Sequence, residues 1–356
     1  MTKPLETWAD EQAEARFCEN QEIARQARVL RSQLRERDED LADVRRRLGV
    51  YEALDATTIA PPKWLTPPAR KKQAHKAIPS LLLTDIHYGE KVVPDEIGGV
   101  NCYSTEIAEQ RIRRACEGAV KLCRDYFSGL EYDGFSLMLG GDMVSGDIHD
   151  ELRETNQEAT TESVVGVLEC LIAGVRVIAD HFGQVHIGAV VGNHGRTTKK
   201  PRAKGKARDS FDGLVYQLLA LWMRDDPRIT IQIATGPDLH FPVYGTRYCL
   251  THGDQFKGGS GISGVMAPLM LGVHRKRRRD AGTGQPWDVM VMGHFHQSLP
   301  LRDLIVGGSL IGYNEYAHGL NLPYEEASAA LWLNTSERGI TTHAPVYVQD
   351  RRAEGW

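Results

Sequence analysis

The feature that most limits what this chain can become is the stretch Leu81-Leu82-Leu83-Thr84-Asp85-Ile86-His87-Tyr88-Gly89. An apolar run ends in an Asp and a His two positions apart and then meets a Gly. That pattern predicts a buried parallel strand that delivers two polar ligands at its carboxyl end. One such ending is ordinary loop chemistry, but four more follow in order. They are Met138-Leu139-Gly140-Gly141-Asp142, Val190-Val191-Gly192-Asn193-His194, Leu250-Thr251-His252-Gly253-Asp254 and Val291-Met292-Gly293-His294-Phe295-His296. Each places Asp, Asn or His where a hydrophobic strand stops and Gly permits a sharp turn. Ligand crevices of open α/β sheets lie at those carboxyl ends.

Strands are expected at 81–85, 135–141, 185–191, 229–234, 246–251, 287–292, 303–310 and 327–333. Helices are expected at 105–126, capped by Ser104 or Thr105, at 158–182 and 209–224, with a shorter one near 264–273. Strands separated first by helices and later by short turns suggest an α/β fold with two sheets packed face to face and helices outside. Ahead of this region, residues 11–54 read as one long helix with a seven-residue repeat. Ile23, Leu30, Val44 and Tyr51 form one set, and Ala27, Leu34, Leu41 and Leu48 the other; Arg37 interrupts the first. The repeat suggests either a coiled coil, and so a homo-oligomer, or an amphipathic helix lying on its own domain. The expected division is a helical segment 1–54, a linker 55–79 rich in proline (Pro61, Pro62, Pro67, Pro68, Pro79), and a catalytic domain 80–356.

The 356 residues suffice for one large domain plus an appendage, and 41% hydrophobic with 25% charged residues is ordinary for a soluble globular protein. The formal net charge of -4 means that affinity for nucleic acid must come from local patches. The six cysteines form no C-x-x-C pair, which fits reduced thiols and argues against thiolate zinc ligation. No signal-peptide core is evident and no run approaches the length of a membrane helix. The expected compartment is the cytoplasm (a host's cytoplasm, if the chain is phage-encoded).

The order Asp-x-His, Gly-Asp, Gly-Asn-His, His-Gly, Gly-His-x-His resembles the calcineurin-like metallophosphoesterase superfamily, from about Pro79 to the last strands. The Gly-Gly-Ser-Leu-Ile-Gly-Tyr stretch at 307–313 is similar to phage-encoded members. The resemblance implies a four-layer α/β/β/α sandwich and two divalent cations roughly 3.5–4 Å apart. Carried over motif by motif, one cation takes Asp85, His87, Asp142 and His296, and the other Asp142, Asn193, His252 and His294, with Asp142 shared. It further implies that a hydroxide held between the ions attacks phosphorus in line. His, Asp and Asn ligands suit Mn, Fe, Zn, Co, Ni or Mg, with Mn favoured by likeness to the nuclease branch. His194 matches the family's catalytic His, which protonates the leaving oxygen. The sequence departs from the family twice. Gly195 stands where an acid usually follows that His, and Ser145 where an Asp usually orients it; Asp147 or His149, on the same loop, are the candidates to replace it.

Two basic clusters flank the motifs. Lys199, Lys200, Arg202, Lys204, Lys206 and Arg208 follow Gly-Asn-His, and Arg275 to Arg279 follow the short helix expected near 264–273. In a net-acidic chain such local exceptions suit a polyanion. Arg196, Lys199, Lys200, Arg202, Arg275 and Arg277 are the candidate substrate-binding residues. The expectation is a metal-dependent DNA nuclease, with an exonuclease among the options. The alternatives are a phosphomonoesterase or protein phosphatase of the same superfamily, a cyclic-nucleotide phosphodiesterase, or a non-catalytic DNA-binding assembly protein.

Overall fold

The computed structural model describes residues 25–26, 28–40, 62, 65, 75–256 and 266–356. The chain divides into two units, 1–56 and 57–356. In the first, residues 28–40 are a helix, α1, on which Leu30 and Leu34 are exposed. The other heptad positions, Ile23, Ala27, Leu41, Val44, Leu48 and Tyr51, lie outside the described residues, as does most of the proline-rich stretch.

In the second unit the elements run β1 (Lys76–Leu83), α2 (Thr105–Lys121), β2 (Glu131–Tyr132), β3 (Phe135–Leu139), α3 (Asp150–Thr155), α4 (Thr160–Phe182), β4 (Val185–Ala189), α5 (Phe211–Met223), β5 (Ile229–Ile233), β6 (Asp238–Val243) and β7 (Thr246–Thr251). Then come α6 (Met266–Gly282), β8 (Val289–Met292), β9 (Leu299–Pro300), β10 (Leu304–Val306), α7 (Glu315–Gly319), β11 (Ser328–Thr335), β12 (Gly339–Tyr347) and α8 (Arg351–Glu354). They build a seven-stranded sheet ordered β12-β11-β1-β3-β4-β5, with β2 also beside β1, and a five-stranded sheet ordered β6-β7-β8-β10-β9. Strands β1, β3, β4 and β5 are mutually parallel, as are β7, β8 and β10.

Side-chain alternation makes the layers. On β1, Ile78 and Leu82 point toward Phe241, Leu250 and Val291 of the second sheet, which forms a core between the sheets. Leu81 and Leu83 point the other way, into a core shared with Ile112 of α2, Val167 of α4 and Val215 of α5. Cys249, Met290 and Val306 turn outward from the second sheet onto Leu269 and Val273 of α6. Helix, sheet, sheet and helix therefore stack as the expected four-layer α/β/β/α sandwich. No helix among the described residues is long and apolar enough to cross a membrane.

Three local expectations differ. Strand β1 begins at Lys76, so Pro79 lies inside a central strand and not in a linker. It is tolerated because β1 pairs with β2 at Lys76 and Ala77 and with β3 only from Ser80, leaving Pro79 in the gap. Strands β2, β6, β9 and β12 lie outside the expected strands; β6, β9 and β12 are sheet edges, and β6 contains Pro242, whose missing N–H costs little there. Helix α6 runs to Gly282, nine residues past the expected end at 273 (282 − 273 = 9). The basic run 275–279 is thus within the helix. The buried stripe continues from Leu269 and Val273 to Lys276 and Asp280, and the last two are charged but paired.

Candidate metal centre

All seven residues proposed as cation ligands converge. Asp85 and His87 follow β1, Asp142 follows β3 and Asn193 follows β4, so these four come from the seven-stranded sheet. His252 follows β7 and His294 and His296 follow β8, from the facing sheet. The donor atoms of Asp85, His87 and His296 lie within 4.8 Å of one another, as do those of Asp142, His252 and His294. Asn193 Oδ1 joins the second group, 3.2 Å from His252 Nε2. Asp142 stands between the groups, with Oδ2 3.0 Å from His252 Nε2 and 4.0 Å from His87 Nε2.

The backbone is bent to achieve this. Asp85 (φ 51°), His87 (49°), Asp142 (52°), His294 (71°) and His296 (52°) all lie in the left-handed region. Such residues cost on the order of 1–3 kcal/mol each and persist only where the surroundings over-determine them. Two of the motif glycines, Gly192 and Gly293, answer a different need, space. A side chain at Gly192 would overlap Asp142 Oδ1, and one at Gly293 would overlap Asp85 Oδ2.

Cations fit these residues. Asp85 Oδ1 is buried without a hydrogen-bond partner, although buried polar atoms are nearly always satisfied. Asp85 spends Oδ2 on the Thr84 hydroxyl (2.7 Å) and the His294 N–H (2.8 Å), which leaves Oδ1 aimed at the cluster, 3.4 Å from His296 Nε2. Charge shows the same deficit. Burial opposes ionisation of both acids, yet His296 and His252 beside Asp85, and His252 and His194 beside Asp142, hold the two carboxyls below their usual range. Burial would likewise neutralise the imidazoles, but the carboxylates carry His252 up to about 10 and raise His296. Burial and neighbouring imidazoles push His87 down, and His294 to about 4. The carboxylates thus favour protons on His252 and His296. A cation that binds must displace them, so its affinity weakens as pH falls.

Surrounding groups orient these ligands. The Gly140 carbonyl lies 2.8 Å from His252 Nδ1, which must donate to it, so Nε2 is the free ligand atom. Glu90, buried and bonded by the Asn314 amide (3.0 Å), sits 3.5 Å behind His87 Nδ1. Asp212, at the start of α5, accepts the N–H groups of Asp142 (2.9 Å) and Gly192 (2.8 Å) on Oδ2 and that of Met143 (3.0 Å) on Oδ1. Burial, and then the Asp142 carboxylate, raise its pKa to about 6. Sequence reading missed both acids. Glu90 carried a faint signal, three residues after His87, whereas Asp212 carried none.

His194 sits at the mouth of the cluster, its ring edge-on to His87 with centroids 4.4 Å apart. Its N–H donates to Asp142 Oδ1 (2.7 Å), and Nδ1 lies 3.0 Å from the Ser145 carbonyl. A carbonyl only accepts, so Nδ1 carries the proton and Nε2 is left to exchange one. The backbone at Ser145 thus orients His194. The His149 ring is 6.2 Å away, and Asp147 contributes no described bond to His194.

The first basic cluster reaches the site. The Arg196 guanidinium bonds the carbonyls of Asn193 (2.8 Å), Thr198 (2.9 Å) and Lys199 (3.1 Å), folding loop 196–209 back onto a ligand. Lys206 pairs with Asp254 at 2.7 Å, tying that loop to the His252 loop. A cavity of about 60 Å³ lies between, lined by Asn193, Arg196, Arg202, Lys206 and Asp254. Lys199, Lys200 and Arg202 are exposed, with Lys199 paired to Asp150 (2.8 Å). Arg275 and Arg277 stand apart, on α6 against the outer face of the second sheet. Arg277 bonds Asp303 (2.9 Å) and lies over the Trp287 ring.

The fold and these side chains define two adjoining His/Asp clusters, each with donors that could hold a metal ion, between the carboxyl ends of two facing sheets. No family model and no curated protein matches the sequence. Among solved structures, the chain is similar to a dimetal phosphatase from Danio rerio (11% identity, 76% of this chain and 99% of that one, TM-score 0.34). It is also similar to a putative 5'-nucleotidase from Staphylococcus aureus (10%, 77% and 55%, TM-score 0.33) and to a predicted phosphoesterase from Streptococcus pneumoniae (11%, 76% and 98%, TM-score 0.28). At such scores the likeness says nothing of the reaction.

A ligand that binds only the folded chain stabilises it by about 2.7 kcal/mol at a hundredfold excess over Kd. Chelator treatment is therefore expected to lower the melting temperature by roughly 5–10 °C, and Mn or Zn to restore it. An unchanged melting curve would mean that the cluster holds no cation.

Proposed function

We propose that the chain is a two-cation phosphoesterase that hydrolyses phosphodiester bonds of nucleic acid, with DNA the preferred polymer and Mn the preferred ion. The observation that supports the chemistry is the convergence of seven N and O donors into two groups around one shared carboxylate, Asp142, with the His194 imidazole beside it. When bound, two divalent cations supply charge neutralisation on the phosphoryl oxygens and a nucleophile from water at neutral pH. Asp85, His87 and His296 would hold one and Asn193, His252 and His294 the other. Asp142 faces both and, through its Oδ1, also receives the His194 N–H. His194, pinned at Nδ1 by the Ser145 carbonyl, would carry a second proton on Nε2 in its imidazolium form and deliver that proton to the leaving oxygen.

The preference for a polymer rests on the loop 196–209, a run of cations rooted on Asn193 through Arg196. One observation favours a second reading, a phosphomonoesterase. Lys199, Lys206 and, at 4.0 Å, Arg202 already face carboxylates, which lessens the field available to a polyanion. Self-association through the heptads of 11–54 belongs to the same proposal.

The test is cleavage of end-labelled single- and double-stranded DNA with Mn, Mg or Zn, alongside p-nitrophenyl monoester and diester. DNA cleavage is expected to fall steeply as salt rises from 50 to 200 mM, the signature of counterion release, while diester turnover stays nearly flat. Monoester turnover with intact DNA would transfer the protein to the second reading.

A further inference from the structure

We propose that Asp212 is the positioning residue that locks the two cation-binding loops of the seven-stranded sheet together, and that position 195 is glycine so that Asp212 can reach them. The inference rests on the two-cation reading above.

Asp212 is fully buried at the second residue of α5. The three N–H groups it accepts belong to two different loops. Asp142 and Met143 follow β3; Gly192, next to Asn193 and His194, follows β4. Those strands are parallel neighbours. The Asp212 carboxylate crosses between their loops from behind, while His194 crosses in front through its bonds to Asp142 Oδ1 and the Ser145 carbonyl. Buried N–H groups that lose their acceptor are costly, and these three sit directly behind the ligands Asp142 and Asn193. The negative charge behind Asp142 also favours cations in front of it.

Gly195 is the other half of the device. Its φ is outside the left-handed region, so an ordinary residue suits its backbone. What forbids one is Asp212. A Cβ at position 195 would lie 2.8 Å from Asp212 Oδ1, 2.9 Å from Cγ and 3.0 Å from its backbone N. Side chains from 195 and 212 therefore claim one volume, and an acid placed there can come from the loop or from the helix. In this chain it comes from the helix, whose start is docked on the loop by the Phe211 N–H donating to the Gly195 carbonyl (2.6 Å) and by the bridge between Arg196 and Ser210.

The experiment compares the full chain with Asp212→Asn, Asp212→Gly, Gly195→Asp and the double variant Asp212→Gly/Gly195→Asp. Each is loaded with Mn, passed through gel filtration, and assayed for retained Mn, for kcat/KM on a p-nitrophenyl diester and for cooperative melting. Each single variant is expected to melt cooperatively and to lose about 10- to 100-fold in kcat/KM together with Mn. Asp212→Asn should also lose, though less than Asp212→Gly, because its one oxygen can keep the Asp142 and Gly192 N–H groups while its amide sets a donor against the Met143 N–H, whereas a space-filling role would survive it. The double variant should regain at least about tenfold over Asp212→Gly, a rescue that no general weakening of the fold produces. Single variants within twofold of the unsubstituted protein, or a double variant no better than the product of the singles, would overturn the proposal. An unsubstituted protein that retains no Mn would instead overturn the two-cation reading, and this inference with it.

Discussion

Replacing Asp142 with Asn is expected to cut phosphoester hydrolysis by about 10³-fold or more and to leave the protein with less than half its bound metal. The charge neutralisation that a cation supplies to the transition state is worth several kcal/mol, and each 1.36 kcal/mol is tenfold in rate. Asp142 is the side chain that both ligand groups face, and its two oxygens are committed differently. Oδ1 takes the His194 N–H at 2.7 Å, and Oδ2 faces His252 at 3.0 Å. Asn keeps the shape but offers one oxygen. Turned one way, its amide meets the His194 N–H; turned the other, it points two donors at the cations. Either way the charge is gone. Metal content by atomic emission and initial rates on a diester read both effects. A variant with full metal and a rate within tenfold would reduce Asp142 to a turn residue.

Replacing His194 with Ala should lower kcat by about 10²- to 10⁴-fold on a nucleotide diester, the range of general acid catalysis, with metal content unchanged. The loss should be far smaller with p-nitrophenyl leaving groups, because a stabilised phenolate departs without a proton. That difference separates the assigned role from two others. Equal loss on every substrate would mean that His194 binds substrate and transfers no proton. Loss of metal would mean that it is a ligand, which its proximity to His87 and Asp142 makes a real competitor. The Nδ1 bond to the Ser145 carbonyl fixes the tautomer and leaves Nε2 free for either role, so the metal measurement decides between them.

The convergence of the donor residues was legible along the chain because they obey a local rule. An apolar strand stops, a glycine gives room, and the next polar residue projects from the strand end; Gly192 before Asn193 and Gly293 before His294 show why, since a side chain there would strike a neighbouring carboxylate. The four layers were legible for a related reason, the period of two that sends Ile78 and Leu82 one way and Leu81 and Leu83 the other. Where the rule is not apolar, reading failed. Helix α6 keeps its buried stripe through Lys276 and Asp280, but those positions are satisfied by Asp238 and Trp287, so hydrophobicity alone ends the helix too early.

The sequence by itself determined which residue types stand at the ends of which strands, because strand, turn and ligand are neighbours within a few positions. Only the tertiary structure decided how those ligands are held. The acid behind Asp142 arrives 70 positions later in the chain. The group that orients His194 is a main-chain carbonyl 49 positions earlier, which looks the same on every residue. The glycine at 195 acquires its meaning only from the carboxylate that fills its space. Hydrogen bonds and excluded volume act through distance in space, and pattern along a chain records them only where the partners are also close in sequence.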